Sequence, residues 1–333
     1  MALARTNYTH DGSGGWTAAS YVPTLFAKKT LVDFYASTIF KEICNIDYEG
    51  EFKNVGDTIN IRQAPAITVN SYTVGGVPGT GITYQIPSKD DLSMLIDQAI
   101  YTAFQVDDVD KVQSDIDLMN MYATDASERM KINVDTNVLL HMSTGAHASN
   151  KGATAGVQSG NLDFGTDAVH TGATGPLQIV GNSTESASAN RYAAVDTIVR
   201  MGQALDEQNV PAMDRYVVIP AWYATKLKTS ELKQANITGD ATGTIRTGLI
   251  GSLNGMKIYV NNNLAAGTIA THSDWVIAGT KAACSFALQM SKSDRLPIEA
   301  SFGEYMRTLW VFGRQVVKPE ALVTVICNGT AEV

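Results

Sequence analysis

Charged side chains are scarce in this sequence. Only 17% of the 333 residues are Asp, Glu, Lys or Arg, whereas roughly 25% is usual for a soluble domain. Hydrophobic residues make up 44% of the chain, which is enough to bury a sizeable core. A surface with so little charge is typical of a protein that contacts other protein over much of its area. The formal net charge of −8 gives the chain no global attraction to nucleic acid or to an anionic membrane.

Cysteine is sparse as well. Cys44, Cys284 and Cys327 lie far apart and form no C-x-x-C pair, so neither a disulfide framework nor a zinc site is indicated. We expect three reduced, mostly buried thiols. No apolar run approaches the roughly 20 residues of a membrane span, and the first residues lack the apolar core of a signal peptide. We therefore expect a soluble protein made in a cytoplasm.

Catalytic motifs are missing too. The sequence has no P-loop, no G-x-S-x-G elbow, no H-E-x-x-H and no G-x-G-x-x-G following a strand. None of its five histidines stands beside a plausible nucleophile or ligand set, and we expect them on the solvated surface. We therefore predict no catalytic residue, no metal and no cofactor. A hydrolase whose site is formed only by the fold remains an alternative. The histidines are His10, His141, His147, His170 and His272.

One acidic cluster allows two interpretations. Asp107, Asp108 and Asp110 stand where a predicted strand leads into a predicted helix, and Asp97 lies on that strand. Such a cluster could bind a divalent cation. Helix capping explains both its position and its composition, so we favour Asp107 and Asp108 as caps of the long helix.

The first half of the chain alternates between polar stretches and well-defined elements. Residues 1–23 are Gly/Ser-rich and predict an extended arm, and a helix is predicted from about Pro23 to Ile43. Strands are predicted at 58–62 and 92–106, with a long hairpin at 67–86 whose tip is rich in glycine. A stripe of apolar residues predicts a long helix from about Val109 to Met142, with Asp135 among the residues assigned to its wetter side.

The second half begins with a change of composition. Residues 143–190 are dominated by Gly, Ala, Ser, Thr and Asn, so we expect an exposed, flexible insertion. An amphipathic helix at about 193–208, a buried strand at 215–220 and a helix from 221 to about 232 follow, and the remainder is β-rich. Helices and strands mix without regular βαβ alternation, which predicts an α+β architecture.

Four segments carry a resemblance to a known family. They are Phe104 to Gln113, the strand from Arg215 to Pro220, Gly248 to Val260, and the stretch from Leu309 to Leu322. In order and spacing, the chain from about Thr24 to Cys327 resembles the tailed-bacteriophage major capsid proteins of Hong Kong 97-like fold, and in particular their N4-type branch.

The resemblance implies a division of the chain into named parts. Residues 1–23 would be the N-terminal arm, 24–66 an N-terminal helix and strand, and 67–89 the extended β-hairpin loop. A peripheral domain with its long spine helix would comprise 90–142 and 283–317. The flexible insertion at 143–190 has no clear counterpart in the family. The axial domain would comprise 191–282 and 318–333.

The resemblance also implies a function. Copies of the chain would assemble in pentamers and hexamers into the icosahedral head around phage double-stranded DNA, which it would contact non-specifically. A scaffolding protein, a portal and a decoration protein are candidate partners, and the location would be the virion, with the host cytoplasm during assembly. Some relatives cross-link through a lysine of the extended loop, but residues 67–86 contain none, so we predict a non-covalent shell. An encapsulin-type compartment shell is the main alternative. Candidate inter-subunit contacts are Trp16, Tyr21, Tyr72, Val74, Val77 and Tyr84.

Overall fold

The structure is a computed structural model of the chain. It describes residues 7–10, 16–19, 36–47, 58–62, 65, 67–72, 82, 84–86, 91–113, 117–167, 175–181, 191–230, 251–267, 273–298 and 302–329. The statements below concern these residues.

The described elements mix helices and strands along the whole chain. The first strands are β1 (Asn7–His10), β2 (Trp16–Ala19), β3 (Thr58–Arg62), β4 (Asp91–Leu95) and β5 (Gln98–Asp107). They are followed by β6 (Leu177–Val180), β7 (Arg191–Ala193), β8 (Arg215–Ile219), β9 (Ser252–Leu253) and β10 (Met256–Val260). The last are β11 (Ser273–Thr280), β12 (Cys284–Pro297), β13 (Gly303–Val316) and β14 (Leu322–Asn328). The α-helices are α1 (Phe40–Ile43), α2 (Asp108–Gln113), α3 (Leu118–Gly145), α4 (Ala194–Glu207) and α5 (Ala221–Thr229).

A seven-stranded mixed sheet forms the larger of two structural regions. Its strand order is β7-β6-β14-β11-β8-β10-β9, and helices cover both of its faces. All five side chains of β8 are buried, because Val217 faces a core formed with α4 and α5 while Val218 faces a second core formed with α1 and α3. This explains why β8 is a continuous apolar run instead of an alternating one. The predictions of strand 215–220 and helix 193–208 are confirmed.

A three-stranded antiparallel sheet of order β12-β13-β5 forms the second region. Helix α3 packs on β13 and β5 and continues over the larger sheet to reach β11 and β14. Its 28 residues give a length of roughly 42 Å. Because one helix contacts both sheets, α3 links the two regions.

The predicted long helix from Val109 is wrong at its beginning. Residues 108–113 form the separate short helix α2, and α3 starts at Leu118 behind its own cap, Asp117. The Asp117 carboxylate accepts a hydrogen bond from the Asn120 backbone N–H at 3.3 Å, and its backbone is not helical. Val109 and Val112 are exposed, so the apolar stripe that suggested one helix has no core beneath it at this end.

The N-terminal predictions are also corrected in part. Within the predicted arm, β1 and β2 form an antiparallel pair with His10 opposite Trp16. Of the predicted helix at 23–43, residues 23–35 lie outside the described residues, 36–39 are not helical, and Phe40–Ile43 are helical. The predicted strand 58–62 is confirmed as β3. The predicted strand 92–106 is divided at Ile96 and Asp97 into β4, which pairs with β3, and β5, which pairs with β13.

The expected flexible insertion is wrong for residues 146–167 and 175–181. Phe164, Leu177 and Ile179 are buried in the core with α4 and α5, and β6 is an internal strand of the larger sheet. The Glu207 carboxylate at the end of α4 accepts hydrogen bonds from the backbone N–H groups of Gln158 and Ser159 at 2.9 and 3.3 Å. Partial burial alone would raise the pKa of Glu207, but these backbone donors and the Gln203 amide, which donates at 2.9 Å, lower it to about 2. The prediction was wrong because it followed the average composition, which is small and polar, whereas a few large apolar residues anchor the segment in the core.

Candidate assembly surfaces and the junction beneath them

The predicted hairpin at 67–86 has two arms that lie side by side. The Thr68 backbone N–H donates to Gln85 Oε1 at 3.0 Å, and Gln85 Nε2 donates back to the Thr68 carbonyl oxygen at 2.9 Å. A side-chain amide thus imitates the pair of hydrogen bonds that two strands would exchange. No strand is assigned at 67–72, 82 or 84–86, so the prediction of two β-strands is wrong for those residues.

The arms expose apolar and aromatic side chains. Tyr72 is 75% exposed and Tyr84 is 86% exposed, which places both candidate contacts in solvent. Four further apolar residues of the arms are exposed as well. Exposed apolar side chains clustered on a projecting segment are typical of a surface that binds other protein. The four residues are Ile67, Val69, Ile82 and Ile86.

The other contact candidates lie partly or wholly outside the described residues. Val74, Val77 and Tyr21 are outside them, and of Trp16 only the backbone, in β2, is described. Their roles therefore remain predictions.

A second apolar surface lies at the end of the three-stranded sheet where β5 ends and β13 begins. The sequence did not indicate it. Phe302, just before β13, is 85% exposed, and Val112 of α2 is 84% exposed. The two elements are joined by the Asp108 backbone N–H, which donates to the Phe302 carbonyl oxygen at 3.4 Å. Asp107 Oδ1 accepts from the Val109 N–H at 2.9 Å, so Asp107 caps α2. The prediction that Asp107 and Asp108 cap the long helix is wrong, because the residue that caps α3 is Asp117.

A buried carboxylate lies where the two regions meet. Asp135 of α3 has no solvent exposure, so its assignment to the wetter side of the helix is wrong. Its Oδ1 accepts from the backbone N–H groups of Ile39 and Phe40 at 3.0 and 2.9 Å. Its Oδ2 accepts from the Nδ2 atoms of Asn261 and Asn263 at 2.7 and 2.8 Å. One side chain thereby joins α1, α3 and the turn after β10.

Three consecutive asparagines form that turn, and each has a defined bond. Asn261 Oδ1 accepts from the Asn263 backbone N–H at 2.6 Å, which directs both amide NH2 groups towards Asp135. Asn263 Nδ2 also lies 3.3 Å from the Ser37 carbonyl oxygen. Asn262 Oδ1 instead accepts from the Ala221 N–H at 3.2 Å and so caps α5. A run of three asparagines directly after a strand was the one local signal of this junction.

The cysteines lie in the cores, as expected. All three thiols are buried. A hydrogen bond with the Cys284 thiol, followed by burial, raises the pKa of Cys44 well above its ordinary value. Burial likewise raises the pKa of Cys327. Both thiols are therefore protonated and unreactive at neutral pH.

The expectation of solvated histidines is wrong for the two histidines whose side chains are described. His141 and His147 are half-buried. Burial lowers the pKa of His141, and the nearby Arg314 cation lowers it further against the opposing effect of Asp97. The His147 ring accepts from the Ser149 N–H at 3.2 Å. Among the described residues, no group of three His, Cys, Asp or Glu side chains is placed to hold a metal ion. None of the described helices is long and apolar enough to cross a membrane.

Comparison with known proteins finds similarity in structure and not in sequence families. No family model and no curated protein sequence matches the chain. A chain from Mycobacterium phage Che8 is 25% identical with a TM-score of 0.71, over 93% of this chain and 98% of that one. A capsid chain of Cyanophage P-SCSP1u is 18% identical with a TM-score of 0.66, over 93% and 94% of the two chains. A chain of the bacteriophage PhiM1 mature capsid is 13% identical with a TM-score of 0.65, over 99% and 98%.

These similarities extend over nearly the whole of each chain, so they concern the complete fold. The chain has the fold of phage capsid subunits. More particularly, this is the Hong Kong 97-like fold of the major capsid proteins, and the predicted α+β fold class is confirmed.

Proposed function

We propose that this chain is the major capsid protein of a tailed bacteriophage. Copies of it assemble in pentamers and hexamers into the icosahedral head that encloses the double-stranded DNA. Its role is structural and not enzymatic. The observation that carries the proposal is the capsid fold, which extends over at least 93% of the chain in each of the three comparisons.

The exposed surfaces agree with this function. A shell subunit must engage several neighbours, and many weak contacts made together give cooperative closure. The hairpin with Tyr72 and Tyr84 and the surface with Val112 and Phe302 lie on separate parts of the fold and expose apolar side chains. We assign both to contacts between copies, together with Trp16, Tyr21, Val74 and Val77.

Finer features of the proposal rest on the sequence. The four segments that resemble the family support an assignment to its N4-type branch. The absence of lysine from residues 67–86 supports a non-covalent shell. A scaffolding protein, a portal and a decoration protein complete the set of partners, with assembly in the host cytoplasm. We retain the peripheral domain at 90–142 and 283–317 and the axial domain at 191–282 and 318–333. Because residues 146–167 and 175–181 share the core of α4 and α5, we add them to the axial domain.

Electron microscopy of the purified protein tests the function directly. The protein is expressed alone and together with the neighbouring scaffold gene, and closed shells or capsomer rings of uniform size are expected. A denaturing gel of unheated and boiled shells should show single subunits, because no covalent link is predicted. Shells filled with an enzyme cargo in place of DNA would support a compartment protein. A strictly monomeric protein under both conditions, at high concentration and varied salt, would overturn the proposal.

A further inference from the structure

The bonds of Asp135 connect parts of the chain that are remote in sequence. Ile39 and Phe40 lie 96 and 95 residues before it, and Asn261 and Asn263 lie 126 and 128 residues after it. Each carboxylate oxygen accepts two hydrogen bonds. The four bonds therefore act as a long-range clamp and not as a local cap.

The clamp also substitutes for a missing helix cap. The residue at the N-cap position of α1 is Ile39, whose side chain cannot accept a hydrogen bond, and the structure shows no side-chain cap there. Asp135 accepts from the N–H groups of Ile39 and Phe40 instead, so the cap comes from a different helix. The beginning of α1 is therefore held in place by α3.

The other half of the clamp fixes the seven-stranded sheet to the same point. The Asn261 backbone N–H donates to the Ile219 carbonyl oxygen at 3.0 Å, which ties the asparagine turn to the end of β8. The Asn261 and Asn263 amides then tie the turn to Asp135. Three parts of the fold, namely α3, the beginning of α1 and the larger sheet, thus share one buried carboxylate.

We propose that Asp135 is a positioning residue for assembly. It sets the angle between α3 and the seven-stranded sheet and the position of α1 against both, so that every copy presents its contact surfaces in the same relative orientation. This inference rests on the proposed function, because uniform orientation has a consequence only in a closed assembly. Loss of the clamp therefore makes shells incomplete or uneven in diameter before it unfolds the subunit.

The asparagine turn supplies a matched pair of variants. Asn263→Ala removes one donor to Asp135, whereas Asn262→Ala removes the cap of α5 and leaves the clamp intact. Losing one hydrogen bond to a charged group shifts an equilibrium by about tenfold or more. We expect Asn263→Ala to reduce the fraction of complete, uniform shells by about tenfold, and Asn262→Ala to leave shell diameter unchanged. Electron microscopy gives the diameters, and thermal unfolding of the unassembled subunits gives the stabilities.

An exchange of polarity tests the bond itself. In Asp135→Asn, one carboxylate oxygen becomes an NH2 group, which faces either the two backbone N–H groups or the two asparagine amides. Donor then meets donor on that side, and uneven shells are expected. In the double variant Asp135→Asn with Asn261→Asp, the new amide donates to the new carboxylate at position 261, while the Asn263 amide still lacks its acceptor. The fraction of uniform shells should therefore rise above that of Asp135→Asn alone, but only to the level of Asn263→Ala. If Asp135→Asn does not fold, the Asn263→Ala and Asn262→Ala pair still decides the question.

The outcomes separate this inference from the proposed function. If the unaltered chain forms no shells, the proposed function fails. If the unaltered chain forms shells and Asn263→Ala shells are equally uniform, only the role of Asp135 fails. Equal disturbance of the shells by Asn262→Ala would also overturn it, because shell geometry would then follow general stability.

Discussion

The seven-stranded sheet and the hairpin at 67–86 use the same kinds of side chain in opposite ways. In the sheet, valine, isoleucine and tyrosine of β8 lie between two cores that the chain itself provides. In the hairpin, Val69, Tyr72 and Tyr84 are exposed to solvent, and the described residues of its arms are joined through one glutamine amide and form no strand ladder. Burial of apolar area is what stabilises either arrangement. The chain therefore completes the first region alone, and under the proposed function the second is completed by another copy.

The largest effect is expected from a cavity in the self-sufficient region. Leu205 of α4 is fully buried between the larger sheet and its helices, so Leu205→Ala should lower the free energy of unfolding of the subunit by about 2–5 kcal/mol. Leu140 of α3 is half exposed and provides the matched control, for which a much smaller loss is expected. Denaturant unfolding of both variants measures the difference. Equal losses would contradict the distinction between the regions.

The hairpin should show the reverse behaviour. Tyr72→Ser combined with Tyr84→Ser removes two side chains that contact little within the subunit, so the unfolding temperature of the subunit should stay unchanged. Shell yield should fall by about tenfold or more, since buried aromatic anchors dominate the energy of most interfaces. Met213→Ser, at an equally exposed site after α4, is the control. A yield that falls equally in the control would remove the special role of the hairpin.

The two acidic caps offer a finer comparison. Asp117 caps the 28 residues of α3, and Asp107 caps the six residues of α2. Asp117→Ala should destabilise the subunit by about 1 kcal/mol, the usual value for a lost N-cap. Asp107→Ala should cost less, because α2 lies outside the buried cores and can fray alone. Thermal unfolding of the two variants tests the order, and a larger loss for Asp107→Ala would reverse the importance assigned to the two helices.

Lowering the pH should destabilise the segment at 151–167, which Glu207 holds through the N–H groups of Gln158 and Ser159. The pKa of Glu207 is lowered to about 2 in the folded chain, below its ordinary 4.5. A lowered carboxyl pKa contributes stability that is present above pH 4.5 and is lost as the pH falls towards 2. Hydrogen exchange of residues 156–160 should therefore accelerate over that window. In Glu207→Gln the acceleration should disappear, and in the exposed control Glu320→Gln it should remain. Acceleration that persists in Glu207→Gln would assign it to another group.

The hydrophobic pattern of a segment was sufficient to predict its secondary structure where burial depends on the order of residues within that segment. The apolar run at 215–219 and the helical period at 194–207 each predicted their element, because burial follows from the order of residues within the segment. The same reasoning misjudged the segment around Phe164 and Leu177. Its average composition is polar, and two or three large side chains are enough to anchor it when a core is available.

The junction could not be predicted in this way. Asp135 has charged neighbours at helical spacing, which is the usual sign of a solvated face. Its donors come from residues more than 90 positions away, and two of them are backbone N–H groups that have no signature in the sequence. Tyr72 and Tyr84 of the hairpin were predicted as candidate contacts, and both are exposed. The exposed Val112 was missed because the pattern extended the long helix through it, and no pattern in the sequence marked Phe302.

The glutamine that joins the hairpin arms has a further consequence for the shape of a shell. A ladder of backbone hydrogen bonds would fix the register and twist of the two arms. The Gln85 side chain instead holds Thr68 through two bonds at the end of rotatable torsions. Among the described residues, the two arms are therefore joined less rigidly at this point than paired strands would be. Under the proposed function, identical chains in pentamers and hexamers would meet differently curved surroundings, and such a joint would constrain the hairpin less than a ladder would.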